Sequence, residues 1–156
     1  MIELQKITDG NFNECIKLEP YENQKSFVAS NLRSLAQAYV ALSNKECIPL
    51  PYAIYDEEIM VGFIMLSYSE PDENNEENTY WVWRFMIGKE YQSKGYGKES
   101  MGKALELIRT FPCGKASAVF LSYEPENVVA KKLYASIGFV ETGKIEAGEL
   151  VAKLTL

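Results

Sequence analysis

The stretch Phe85–Met101, "FMIGKEYQSKGYGKESM", closes an apolar run, passes Gly95 and Gly97 between Lys94 and Lys98, and enters a helical pattern. Its upstream part belongs to "TYWVWRFMI", residues 79–87, which is apolar on both faces and so predicts a central strand covered on both sides. Downstream, Met101, Ala104, Leu105 and Ile108 recur at i, i+3, i+4 and i+7, the stripe of an amphipathic helix, closed by Phe111-Pro112 and Gly114. "KASAVFLSY", residues 115–123, is then a second buried strand. A strand, a helix and a strand in this order place the two strands side by side and parallel, with a right-handed crossover.

The rest of the chain builds outward from that unit. Ile2, Leu4 and Ile7 mark a first strand, followed by a short helix through Cys15 and Leu18 that Pro20 ends. Phe27, Val28, Leu32, Leu35, Ala38, Tyr39 and Leu42 predict a long amphipathic helix over 23–42, with room for one break. "PLPYAIYDEEIMVGFIMLSY", residues 49–68, reads as an antiparallel hairpin turning at Asp56-Glu57-Glu58, and "SEPDENNEEN", residues 69–78, as a polar loop. "ENVVAKKLYASIG", residues 126–138, is a helix stopped by Gly138, and residues 139–156 form a hairpin through Glu146-Ala147-Gly148. The expected class is α/β, one domain over 1–156, with a mixed central sheet of about six to seven strands flanked by helices.

Composition narrows the chemistry. The chain has 156 residues, 47% of them hydrophobic, enough for a full core. Its net charge of −6 argues against a nucleic-acid partner, because such affinity comes from cations neutralising phosphates, and suits a positively charged small partner better. Cys15, Cys47 and Cys113 are odd in number and widely spaced, which indicates neither a disulfide framework nor a metal site. No apolar run approaches a membrane span and "MIELQKITDG" has no signal-peptide core, so no membrane partner is expected and the expected location is the cytoplasm. With no histidine, imidazole-assisted nucleophiles and histidine metal ligands are excluded.

The glycine loop itself has an anion-binding chemistry. Glycines let backbone N–H groups close on a ligand, and the helix N-terminus adds partial positive charge. Lys98-Glu99 after Gly97 does not make a P-loop, and Ser100 at the third glycine position breaks the dinucleotide fingerprint. A phosphate-bearing ligand still fits, and a glycine turn with solvated lysines is the plain alternative.

Gln92, Gly95 and Gly97 after a central strand resemble the acetyl-CoA loop of the GNAT N-acetyltransferase family, and "ENVVAKKLYASIGF" resembles that family's later helix, with Asn127, Tyr134 and Gly138-Phe139 in matching places. "RFMIGKEYQSKGYGK" and "ENQKSFVASN" resemble more narrowly the bacterial spermine/spermidine acetyltransferase branch. The resemblance implies a GNAT fold with splayed central parallel strands, and transfer of acetyl from acetyl-CoA to an amine by direct attack, with no metal. It implies that Gln92, Ser93, Lys94, Gly95, Tyr96, Gly97 and Lys98 hold the pyrophosphate. Backbone on Phe85, Met86 and Ile87 then pairs with the pantetheine arm, Asn127 and Lys131 serve the cofactor helix, and Tyr134 acts as general acid. A homodimer is the assembly it suggests.

A protonated alkylamine, with a pKa of about 10.4, is under about 1% neutral at pH 7 and needs a proton acceptor. Some polyamine acetyltransferases carry an acid where this chain has Trp83 or Arg84, so Glu22 and Glu124 are the candidates here. Trp81 and Trp83 alternate onto one face, first as core and second as a wall for a cation. The expected acceptor is a small cationic amine, spermidine or spermine before an aminoglycoside, an amino acid or a protein amine. A non-catalytic acetyl-CoA-binding module remains the reading from a different class.

Overall fold

β4, Thr79–Ile87, is the middle of a seven-stranded sheet in the order β1-β2-β3-β4-β5-β7-β6. Around it run β1 (Ile2–Lys6), α1 (Phe12–Lys17), α2 (Asn31–Ser43), β2 (Ile48–Asp56), β3 (Ile59–Ser69), α3 (Tyr96–Arg109), β5 (Ala118–Tyr123), α4 (Val128–Ile137), β6 (Val140–Glu146) and β7 (Glu149–Thr155). The computed structural model describes residues 1–73 and 75–156; Asn74, inside the expected polar loop, lies outside the described residues. β4 and β5 are parallel and the other neighbours antiparallel, as the strand-helix-strand reading requires.

Both faces of the sheet are covered. Ile64, Leu66, Tyr80, Val119 and Leu121 pack with Met101, Leu105 and Ile108 of α3 and Tyr134 of α4. Ala53, Phe63, Met65 and Met86 pack with Cys15 of α1 and Ala38 of α2 on the other side. This alternation along β3 is the two-residue period of a strand with helices on both faces, and each large buried side chain contributes about 1.5–3 kcal/mol. Among the described residues, no helix is long and apolar enough to cross a membrane.

Two local features shape what lies at the centre. Met65 opposes Arg84 while Leu66 opposes Val82, so Trp83 is an extra residue on β4, a β-bulge. β4 and β5 then pair only at Tyr80↔Val119 and Trp81↔Phe120. Beyond those pairs they part, giving the splayed parallel strands that the family resemblance implied.

The expected long helix over 23–42 is corrected in extent and in phase. Glu22–Gln24 forms a separate 3-10 turn, and α2 starts at Asn31, where Ser30 Oγ accepts from Arg33 N at 3.1 Å. Its inward stripe is Asn31, Ser34, Ala38 and Ala41, whereas Leu32 (54% exposed), Tyr39 (74%) and Leu42 (59%) face outward. Asn31 fixes that phase, because its Nδ2 donates to the carbonyls of Cys15 and Leu18 at 2.9 and 3.3 Å, tying α2 to α1. A hydropathy stripe does not register a buried asparagine among small residues.

The hairpins turn where expected. Glu57 adopts φ 56° in the β2–β3 turn without a glycine, and Ala147 and Gly148 have φ 48° and 81°, the left-handed pair that suits a tight hairpin. Gly62 on β3 is required for another reason: a Cβ there comes within 2.5 Å of the Met86 carbonyl oxygen, which is backbone and cannot yield. Gly62→Ala is expected to cost about 2–3 kcal/mol and to lower the melting temperature by about 5–10 °C, measured by thermal unfolding. An unchanged melting temperature contradicts this packing of β3 on β4.

Candidate active site

Where β4 and β5 separate, a groove of about 1010 Å³ crosses the molecule from the start of α3, past the start of α4, to the ends of β5 and β7. At one end lies the glycine loop. Ser93 and Gly95 both take left-handed backbone, φ 62° and 88°, and Gly95 is the N-cap of α3 with no side chain to cap it. The first-turn N–H groups of a helix have no intrahelical partner, so this end offers open donors and positive helix-dipole charge. Gly97 sits on the groove beside α4, its absent Cβ 3.4 Å from Leu133 Cδ2.

Side chains brace that loop. Gln92 Nε2 donates to Gln24 Oε1 at 2.7 Å and to the Ile87 carbonyl at 3.0 Å, and Gln24 Nε2 returns a bond to Gln92 Oε1 at 3.0 Å. Gln92 thus ties the end of β4, the loop and the 3-10 turn together, and its amide is engaged in that bracing. Tyr96 Oη donates to Asp56 Oδ2 at 2.7 Å and the Met1 ammonium to Asp56 Oδ1 at 2.8 Å; the ammonium first and then Tyr96 hold the Asp56 carboxyl below its usual range, and Asp56 raises the Tyr96 phenol. The amide of Asn127 also has a structural duty, since its Oδ1 accepts from Ala130 N at 3.3 Å and caps α4.

Of the residues expected at the site, Phe85, Met86, Ile87, Gln92, Ser93, Tyr96, Gly97, Glu124, Asn127 and Tyr134 line the groove. Gly95, Lys94 and Lys98 stand on the exposed side of the loop, with Lys94 Nζ 5.8 Å over the Tyr91 ring. Lys131 turns away to Glu141, 3.4 Å distant. Glu22 is corrected: its carboxylate is 88% exposed, pairs with Lys25 Nζ at 2.9 Å and does not line the groove. That ion pair lowers the Glu22 pKa, the direction opposite to what a proton acceptor needs.

Tyr134 is buried at the middle of the groove, its ring 5.7 Å from Tyr123 and 6.1 Å from Phe139. Burial, then the charge of Glu149, pushes its phenol well above the ordinary tyrosine range, so it stays protonated. Beside it Tyr123 Oη donates to Glu141 Oε1 at 2.8 Å, and burial carries the Tyr123 phenol up to about 12.

The sequence reading missed the groove's remaining charges. The β5–β7 ladder ends at Tyr123↔Leu150, and Glu149 pairs with Glu146 across β6–β7; Glu124 and Glu149 each adjoin that last β5–β7 pair. Both line the groove, as do Glu46 and Glu146. The bulge at Trp83 puts Arg84 opposite Met65 on the face beneath α2. Its Nη2 donates to Gln37 Oε1 at 2.7 Å and its Nη1 to the Trp83 carbonyl at 3.0 Å, while its Nε is buried without a partner. Trp81 stacks on Phe120 at 5.4 Å and Trp83 underlies Arg84 at 5.6 Å, so both tryptophans wall the groove as well as pack. Glu149 and Arg84 had no local signal, because strand register brings in one and a bulge turns the other.

The geometry is therefore an anion-seeking loop, a buried phenol and an acidic far end along one groove. Residues 11–139 match the Acetyltransferase (GNAT) family. A probable spermine N(1)-acetyltransferase of Bacillus subtilis subsp. natto is 32% identical over 148 residues, covering 93% of this chain and 91% of that protein. A spermine/spermidine N(1)-acetyltransferase of Bacillus subtilis strain 168 is 31% identical over the same shares. Among solved structures, the spermidine N-acetyltransferase of Vibrio cholerae, in complex with CoA and spermine, superimposes with a TM-score of 0.68 at 18% identity, covering 99% of this chain and 94% of that one. The chain belongs to the GNAT family and is an acyl-CoA-dependent N-acetyltransferase with acetyl-CoA as its cosubstrate.

Proposed function

We propose that the protein acetylates a primary amine of a small cationic acceptor, a polyamine such as spermidine or spermine, by direct attack in a ternary complex. One observation carries this reading: the groove that begins at the open amides of α3 continues past four carboxylates, Glu46, Glu124, Glu146 and Glu149, which outnumber the cations Lys25, Arg33 and Arg84 in its lining. A dianionic diphosphate suits the first end and a polycation the second. The names of the two Bacillus relatives support the same acceptor class.

Acetyl-CoA, when bound, supplies an activated acetyl thioester. The N–H groups of Ser93 to Lys98 hold the diphosphate, with Lys94 and Lys98 adding charge from the solvent side. Backbone of Phe85 and Met86, beyond the last β4–β5 pair, adds the pantetheine arm in the manner of a strand, and Ala130, Leu133 and Asn127 close over it. Tyr134 points its hydroxyl at the departing sulfur and donates a hydrogen bond as charge develops there.

The test is CoA release measured against a panel of spermidine, spermine, an aminoglycoside, free amino acids and a peptide N-terminus. The polyamines are expected to give the highest kcat/KM. Greater turnover on another amine replaces the acceptor, and tight CoA binding with no amine-dependent release supports the non-catalytic module instead.

A further inference from the structure

We propose that Glu149 is the proton acceptor for the acceptor amine, held opposite Glu146 across the β6–β7 ladder on the groove that Glu124 and Arg84 also line. The inference rests on the amine-acetyltransferase reading above and adds the residue that sequence did not supply. Glu149 opens β7 directly after the Ala147-Gly148 turn and pairs with Glu146 across β6–β7, so its position is fixed by a two-strand ladder. Two carboxylates directly across a ladder repel one another, an arrangement that a cation between them relieves.

The charged and titratable groups around Glu149 come from several elements: Glu146 opposite it on β6, Glu124 just past the end of β5, Arg84 on β4 and Tyr134 on α4. Burial is the main cause that raises the Glu149 pKa, the Glu124 charge adds to it, and Arg84 opposes it. A carboxylate so placed is a better base than an ordinary glutamate. Arg84 is itself partly desolvated with Arg33 nearby, so it tempers the pair without neutralising it.

The proton balance is simple. The ammonium gives one proton to the Glu149 carboxylate, which passes it to water along the open groove. The freed nitrogen lone pair forms the C–N bond while the C–S bond breaks, and the sulfur takes the Tyr134 proton. The second proton shed by the acylated nitrogen restores the Tyr134 hydroxyl, so the net products are the amide, CoA thiol and one proton in solution.

The experiment compares wild type with Glu149→Gln, Glu149→Asp and Glu124→Gln, using the best amine of the panel and aminoacetonitrile, an amine already neutral at the assay pH. Glu149→Gln is expected to lose about 10²- to 10³-fold in kcat on the polyamine near pH 7.5, with the KM for acetyl-CoA unchanged. The deficit narrows to under about tenfold for aminoacetonitrile and at alkaline pH, where the amine arrives deprotonated. Glu149→Asp keeps part of the activity. The acid limb of kcat/KM lies above the ordinary glutamate range in wild type, moves down in Glu124→Gln, and disappears in Glu149→Gln. Because an ionised carboxylate with a raised pKa opposes folding above that pKa, Glu149→Gln also melts no lower than wild type at pH 8.

An equal loss with both amines at every pH shows a structural role and overturns the assignment, as does unchanged turnover. If wild type turns over no polyamine but accepts another amine, the acceptor reading fails and the same comparison on that amine still decides Glu149. A wild-type protein that acetylates no amine overturns both.

Discussion

Tyr134→Phe is expected to lower kcat by about two orders of magnitude while leaving acetyl-CoA affinity within about threefold. The phenyl ring keeps its packing against Tyr123 and Phe139, so the variant loses one hydroxyl and little stability. That hydroxyl meets charge only as the thiolate forms, so its removal acts on turnover rather than on binding. A hydrogen bond to a charged group contributes about 1.5–3 kcal/mol, or roughly 10- to 100-fold, and proton donation carries the effect to the upper end. Full transfer from a free phenol to a free thiolate is uphill by about 2 kcal/mol, and burial raises the Tyr134 phenol further, so the proton moves late. The same shift predicts no alkaline limb from Tyr134 ionisation below about pH 10. Steady-state kinetics with separate titration of acetyl-CoA measure both quantities; a variant with wild-type kcat removes Tyr134 from the chemistry.

Gly97→Asp is expected to separate folding from cofactor binding more sharply than any other change in the loop. Position 97 lies in the first turn of α3 with ordinary space for a Cβ, and a carboxylate there complements the helix dipole. Stability should therefore hold or rise by a few tenths of a kcal/mol. The same carboxylate occupies the ground proposed for the diphosphate, and repulsion plus lost amide donors should cost about 3 kcal/mol, or roughly 100-fold in CoA affinity. Pantetheine, which has no diphosphate, should bind both proteins equally. Thermal unfolding and calorimetry give the two numbers independently.

Most of the fold could be read along the chain because its signals are local. The apolar run of β4, the i, i+3, i+4, i+7 stripe of α3 and the Ala147-Gly148 turn each declare an element within a dozen residues. The glycine loop and Tyr134 were legible for the same reason, since each lies in one contiguous motif. What escaped is non-local. The phase of α2 depends on Asn31 reaching the carbonyls of α1, and no hydropathy stripe contains that information. Arg84 faces the groove because Trp83 bulges out of register with β3, and Glu149 reaches the groove only through the pairing of β7 with its neighbours β5 and β6. Glu22 failed in the opposite way: a candidate from its place ahead of the long helix, it turns outward to Lys25.

The central claim is that the amides of residues 93 to 98 hold the diphosphate of acetyl-CoA. Backbone amide NMR of the ¹⁵N-labelled protein, titrated with CoA and separately with pantetheine, tests it at the atoms themselves. The account predicts large shifts at Ser93 through Lys98 with CoA, and small ones there with pantetheine. Saturable CoA binding that leaves those amides unmoved contradicts it.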